Sequence, residues 1–167
     1  RLVGELHKRP GDFGRFIHIG TSELYGSRQT PADERAPVTP TSPYGVSKVA
    51  FDLHLKVMWD RLKFPMNIVR PSNCIVEGQQ LHRVVPRALL AALKGERLQL
   101  HGGGVSKKSY LHGDDLSQAV ENVFNAPLGE IYNCAPDEPT AIRDLVQICA
   151  DVAGIPFEKL VELAPER

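Results

Sequence analysis

Arg15-Phe-Ile-His-Ile-Gly-Thr-Ser-Glu23 and, further on, Pro43-Tyr-Gly-Val-Ser-Lys48 decide how this chain is read. The first is an isoleucine-rich apolar run bounded by glycines, the pattern of a strand buried on both faces of a parallel sheet. Thr21, Ser22 and Glu23 then fall at the strand's carboxyl end, where open α/β sheets bind their ligands. The second follows Thr39-Pro-Thr-Ser42, whose prolines and hydroxyls mark a loop and a helix start. Tyr44 and Lys48 sit one turn apart on one face of that helix. A phenol with an ordinary pKa near ~10 is a poor base at neutral pH, and a nearby ammonium favours the phenolate. The pair is therefore suited to taking a proton from a hydroxyl.

Outward from these runs the chain alternates strand and helix, the grammar of parallel strands joined by crossover helices. Residues 1–8 read as the tail of a helix ending near Pro10-Gly11. The helix from Pro43 to Leu62 carries two apolar stripes, one of Val46, Ala50, Leu53 and Val57, the other of Phe51, Leu55, Met58, Trp59 and Leu62. One stripe packs on the sheet, and the other meets a partner subunit or a further part of the protein. Met66 to Arg70 is the next strand, cut off by Pro71. A loop, a helix from Val84 to Lys94 and a short apolar strand at Leu98–Leu100 follow, then Gly102-Gly-Gly104 as a flexible turn. Ser109–His112 returns to the main sheet, Asp114 and Asp115 open a helix over 116–124, and Ile131–Cys134 is a further strand. Thr140 caps a helix from Ala141 to Ala153, which Gly154 stops.

With 42% hydrophobic and 24% charged residues, the 167-residue chain has the composition of an ordinary globular protein. Its 20 basic and 20 acidic residues cancel, which leaves no net field to recruit nucleic acid or an anionic membrane. No apolar run approaches the ~20 residues that span a bilayer, so no membrane partner and a cytoplasmic location are expected. Cys74, Cys134 and Cys149 are widely spaced, and no His/Cys pattern has metal-ligand spacing, so reduced thiols and no metal are expected.

The strand with Thr21-Ser-Glu-Leu-Tyr-Gly26, then Ser42-Pro-Tyr-Gly-Val-Ser-Lys48, then Arg70-Pro-Ser-Asn73 resembles the extended short-chain dehydrogenase/reductase family of NAD-dependent nucleotide-sugar epimerases, dehydratases and decarboxylases. The resemblance spans about Phe16 to Ile148. It implies an α/β fold: the C-terminal half of a Rossmann-like doubly wound parallel sheet, plus a small α/β substrate domain. Residues 1–73 would form the second half of the Rossmann-like domain and 74–167 mainly the substrate domain, with 109–125 returning to the sheet. It further implies NAD as cofactor, with NADP left open, a nucleotide-diphosphate sugar as substrate, and a homodimer through the helix 44–62. The glycine fingerprint Gly-x-Gly-x-x-Gly, which lets a backbone approach a dinucleotide pyrophosphate, is absent from the 167 residues. In the family it lies about a hundred residues before the Thr-Ser-Glu motif, so the expectation is a chain lacking its N-terminal half, inactive by itself.

By the same resemblance Thr21, Ser22, Glu23, Tyr44 and Lys48 are catalytic. Tyr44, Lys48, Pro71 and Ser72 lie by the cofactor, and Asn73, Arg83, Val84, Gln99, His101, Lys108 and Asn133 line the substrate. A lone Glu23 would be a solvated carboxylate at a strand end. Beside the other motifs, it resembles the C5 base of the 4,6-dehydratases and the matching glutamate of the decarboxylases. The implied reaction oxidises C4 with Tyr44 as base and Thr21 on the oxygen. It then removes the C5 proton with Glu23, expels water from C6 and returns the hydride there. Ser22 stands where many dTDP-glucose dehydratases have an aspartate that protonates the leaving hydroxyl. Thr-Ser-Glu occurs in GDP-mannose dehydratases and UDP-glucuronate decarboxylases, so the nucleotide stays open. Ile75-Val-Glu-Gly-Gln79 replaces the family's Tyr-Gly-Pro-x-Gln, and Lys108 stands where an arginine is usual, a point charge in place of a two-point fork. Asn73 reads equally as a turn residue, and Lys107-Lys108 as a solvated turn. Epimerase and decarboxylase are rival activities, and a truncated, non-catalytic nucleotide-sugar-binding module is the rival of another class.

Overall fold

A computed structural model describes residues 2–9, 11–28 and 30–165. In chain order the first elements are α1 (Leu2–His7), β1 (Phe16–Ile19), a 3-10 turn (Ser22–Tyr25), α2 (Pro43–Leu62), β2 (Met66–Pro71) and β3 (Asn73–Ile75). There follow α3 (Val84–Lys94), β4 (Leu98–His101), β5 (Lys107–Lys108), β6 (Tyr110–His112), α4 (Gly113–Phe124) and β7 (Ile131–Cys134). The last are β8 (Thr140–Ala141), α5 (Ile142–Ala153), α6 (Phe157–Leu160) and β9 (Val161–Ala164). The expected helix at 1–8 is α1, while Arg1 and Pro10 lie outside the described residues. The chain divides into two compact units, residues 1–72 with 113–135 and residues 73–112 with 136–167.

The first unit is built on a parallel sheet in the order β1-β2-β7, with Phe16 opposite Met66 and Ile68 opposite Ile131. Central β2 is buried along its whole length, with Met66, Ile68 and Val69 apolar on both faces and the Asn67 amide donating to the Pro127 and Glu130 carbonyls. Val3, Leu55, Phe64, Met66 and Ile68 form the core under it, joined by Phe13, Phe16, Phe51, Met58 and Trp59. Full burial of a side chain such as Leu55 or Met66 contributes about 1.5–3 kcal/mol. Ser42 starts α2 by accepting the Gly45 N–H at 3.0 Å, with Pro43 in the first turn where its missing N–H costs nothing. The Phe51–Leu55–Met58–Trp59 stripe faces the core, while Val46, Leu53 and Val57 are more than half exposed. Leu62, at the end of the inward stripe, is exposed as well.

Pro71 does not cut β2 off, contrary to expectation, but pairs with Cys134 as its last residue. Val69 faces β1, its carbonyl accepting the Gly20 N–H at 2.7 Å, whereas Ser72 donates to Cys134 on the β7 side. Pro71 therefore faces β1, which has already ended at Ile19, and no partner waits for the N–H that proline lacks.

In the second unit, α3 and α5 pack together over Ala88, Leu98, Leu100, Val146, Ala150 and Leu160, beside the parallel pair β4–β9. Two expectations fail here. Tyr110–His112 does not return to the main sheet but pairs in parallel with Asn73–Ile75. What rejoins the first unit is 113–135, with α4 against β2 and β7 at the sheet edge. Nor does Thr140 cap α5, because it lies in β8, paired with Lys108. Ala141 occupies the cap position without a side-chain bond. At Gly102–Gly104 all three glycines have positive φ, a turn that side chains would resist.

Candidate active site

β1 ends at Ile19, and the backbone turns at once. Thr21 stays extended (φ −160°, ψ 148°), and its Oγ1 accepts the Glu23 N–H at 3.2 Å, capping the 3-10 turn. This use leaves the buried Thr21 hydroxyl hydrogen available as a donor. Ser22 is half-buried and Glu23 exposed at the head of the turn. Leu24 and Tyr25 point inward and hold it down.

The returning loop seals the turn from the other side. Thr39 donates its N–H to the Leu24 carbonyl at 2.9 Å and its Oγ1–H to the Tyr25 carbonyl at 2.7 Å. Gly45 brings α2 close: a Cβ at that position would lie 3.0 Å from Pro40 Cβ and 3.5 Å from the Glu23 carbonyl oxygen. The glycine between Tyr44 and Val46 thus lets the backbone of Glu23 approach the start of the helix that carries Tyr44. Tyr44 is 53% exposed. Lys48, one turn on, donates to the Ile19 carbonyl at 2.9 Å, which fixes its ammonium at the carboxyl end of β1. Thr21, Ser22, Glu23, Tyr44 and Lys48 are therefore gathered around one strand end.

The other sequence-derived residues lie on several elements of the two units. Pro71, the last residue of β2, and Ser72 just beyond it are buried. Asn133, expected to line substrate, is engaged elsewhere: its Oδ1 accepts from the Tyr25 hydroxyl at 2.8 Å and its Nδ2 donates to the Ala32 carbonyl at 2.9 Å. The remaining six belong to the second unit. Asn73 Nδ2 donates to the Ser109 carbonyl at 3.3 Å. Arg83 is exposed at the start of α3, with Val84 half-buried beside it. Gln99 and His101 share the exposed face of β4, His101 Nδ1 lying 3.2 Å from the Pro165 carbonyl oxygen. Lys108 is exposed on β5.

Sequence reading passed over a buried polar chain beneath the strand end. Arg70 is 5% exposed; its Nε donates to Asp52 Oδ2 at 2.9 Å and its Nη1 to the Tyr25 hydroxyl at 2.7 Å. His18 Nε2 stands 3.4 Å from Asp52 Oδ1, within ion-pair range but out of line for a hydrogen bond. The available signal was an arginine inside the apolar run Ile68-Val-Arg70 and an aspartate four residues after Lys48, on the same helical stripe.

A family model described as the NAD dependent epimerase/dehydratase family matches residues 1–135. A dTDP-D-glucose 4,6-dehydratase from Mus musculus is 31% identical over 140 residues, 80% of this chain and 39% of that protein. A dTDP-glucose 4,6-dehydratase from Neisseria gonorrhoeae is 34% identical over 159 residues, 92% of this chain and 43% of that protein. The chain thus spans less than half the length of these curated relatives. A crystal structure of dTDP-glucose 4,6-dehydratase from Bacillus anthracis, in complex with NAD, superposes with a TM-score of 0.91 at 26% identity, covering 99% of this chain and 53% of that one. The α/β architecture is accordingly Rossmann-like, as in that enzyme, and with more than half of its length matched by the family model the chain belongs to the NAD dependent epimerase/dehydratase family.

Proposed function

We propose that this chain carries the catalytic residues of an NAD-dependent nucleotide-sugar 4,6-dehydratase. The observation that carries the reading is the close approach, through Gly45, of the turn bearing Thr21, Ser22 and Glu23 to the helix start bearing Tyr44 and Lys48. The dehydratases among its relatives favour the same reaction.

The residues present fit the nicotinamide end of the cofactor. Lys48 spends one of three ammonium donors on Ile19, leaving two for ribose hydroxyls. Pro71 ends the neighbouring strand, and Ser72 follows it. When bound, NAD supplies the acceptor for the C4 hydride and later the donor of hydride to C6, so that it ends unchanged. Tyr44 takes the C4 hydroxyl proton as general base. Thr21, its oxygen already accepting from Glu23, donates its hydrogen to the developing C4 carbonyl. That carbonyl acidifies C5, Glu23 removes the C5 proton, and the C6 hydroxyl departs as water with Ser22 as its proton donor. Glu23 then returns a proton to C5, giving a 4-keto-6-deoxy sugar. Serine is a weaker acid than aspartate, so dTDP-glucose is one candidate among nucleoside diphosphate sugars. In this proposal Asn73, Arg83, Val84, Gln99, His101, Lys108 and Asn133 bind the sugar nucleotide, as the family resemblance implies.

The exposed Val46, Leu53 and Val57 face of α2 suits a homodimer contact. Among the described residues no helix is long and apolar enough to cross a membrane; a cytoplasmic location is part of the proposal. The test is Glu23→Gln in the full polypeptide that carries this sequence, against a panel of nucleotide sugars. Loss of a general base lowers turnover by about 10²–10⁴-fold, and the 4-keto-6-deoxy product should fall accordingly. Dehydration at the parent rate would overturn the assignment. Carbon dioxide release or an inverted sugar would move the activity to a decarboxylase or an epimerase, and binding without turnover by the parent would favour the non-catalytic module.

A further inference from the structure

Arg70 places a guanidinium inside the sheet, where an unpaired charge is costly. Its partners come from separate elements: Asp52 from α2, the Tyr25 hydroxyl from the 3-10 turn, and the Glu34 carbonyl at 3.4 Å from the loop between them. Its guanidinium also lies 5.4 Å from the Tyr25 ring centroid. Tyr25 donates onward to Asn133, whose N–H is held by Glu34 Oε1 at 2.7 Å. A network of this kind, linked through Arg70 and the Tyr25 hydroxyl, behaves as a unit.

Its position gives it a use. Tyr25 is the last residue of the turn that bears Glu23, while Asp52 extends the Tyr44–Lys48 stripe by one further turn of α2. We infer that Arg70, through Tyr25 and Asp52, is a positioning residue that sets Glu23 relative to the sugar carbon it deprotonates. The inference rests on the dehydratase reading above. Tyr44 and Lys48 have anchors of their own, the Ser42 cap on Gly45 and the Ile19 carbonyl on Lys48. Among the described residues Glu23 has none beyond its turn, so the loss of Tyr25's hydroxyl bears on Glu23 first. Misplacement by about 1 Å is enough to cost 10²-fold in rate at a reacting centre.

The test is Tyr25→Phe in the full polypeptide, which keeps the ring and its packing and removes only the hydroxyl. The substrate is whichever of dTDP-glucose, UDP-glucose and GDP-mannose the parent turns over fastest. Two steps are read in one sample: C4 oxidation from the absorbance of reduced nicotinamide in a single turnover, and C5 proton removal from deuterium entering C5 in heavy water. The expected result is C5 exchange slowed about tenfold, equivalent to ~1.4 kcal/mol, with C4 oxidation within about twofold of the parent. Equal slowing of both steps, as a purely structural role requires, would overturn the inference, as would no change in either. Amide exchange gives a readout independent of substrate. The Gly26 and Thr39 N–H groups, bonded to Glu23 and Leu24, should exchange about tenfold faster in the variant, and that of Val46, bonded to Ser42, should not. Unchanged Gly26 and Thr39 exchange would sink the positioning role even if no sugar were turned over. Glu23→Gln run alongside separates the two failures: a Gln variant with normal C5 exchange refutes the dehydratase assignment, not the clamp.

Discussion

Gly26 closes the turn that carries Glu23, and its replacement by alanine has a cost that can be worked from the coordinates. Its φ of 69° with ψ of −163° belongs to a region open essentially to glycine, where a side chain costs about 1–3 kcal/mol. A Cβ added at Gly26 would also lie 2.2 Å from the Thr39 carbonyl oxygen and 3.2 Å from Thr39 Oγ1. The nearer atom is backbone and cannot rotate aside. Relief means moving Thr39 off the turn, which releases its bonds to Leu24 and Tyr25, each worth about 0.5–1.5 kcal/mol net. Gly26→Ala should therefore destabilise the protein by about 2–6 kcal/mol, lowering Tm by ~4 °C or more in thermal unfolding followed by circular dichroism. Gly78→Ala serves as the companion: φ there is 73°, but nothing lies within 4 Å of a Cβ, so only the backbone strain applies. Equal shifts for the two variants, or a Gly26→Ala midpoint within about 1 °C of the parent, would refute the packing argument.

Asp52→Ala leaves the Arg70 guanidinium buried without its carboxylate, and urea unfolding should show a loss of about 3–5 kcal/mol. The double variant Asp52→Ala/Arg70→Met should recover much of it, and a double variant no better than the single would contradict this account of the pair. Burial pushes the Cys149 thiol above its ordinary value of 9.0, so the folded state holds that proton more tightly than the unfolded chain does. The stabilisation is fully present below the unfolded pKa and is lost as pH rises through the folded one. The stability difference between the parent and Cys149→Ala should accordingly shrink on titration from neutral to strongly alkaline pH. A pH-independent difference would count against it.

Local patterns reported local structure well. The proline-and-hydroxyl cluster before Tyr44 and the two apolar stripes gave α2 its bounds, and Phe16–Ile19 and Val84–Lys94 follow from their own apolar periods. Pairing between distant segments was less legible. Nothing in Ser109–His112 says that Asn73–Ile75, rather than the main sheet, is its neighbour, since a short apolar run satisfies either edge. Pro71 misled because proline's ladder cost depends on which side its N–H would face, and that is set by where β1 stops. For the candidate site, Tyr44, Lys48 and Glu23 were visible as motifs with roles, whereas Tyr25 and Arg70 stood in the quoted runs with no role assigned and Asp52 in none of them. Their meeting depends on three elements converging, and no spacing along the chain encodes it.

The discontinuity of the first unit bears on how the protein is made. The Arg70 guanidinium reaches Asp52 and Tyr25 across at most 45 residues of chain, but the Asn133 that fixes Tyr25 follows only after the whole of β3 to α4. As the chain leaves the ribosome, residues 73–112 must be threaded out before β7 can dock on β2, and closing that long excursion carries an entropic cost that grows only slowly with its length. In a nascent chain halted near His112, the edge of β2 that β7 takes up would still be unpaired, the kind of edge that recruits other chains. The interval between synthesis of Pro71 and of Cys134 is thus a window in which this edge of β2 stands open to other chains.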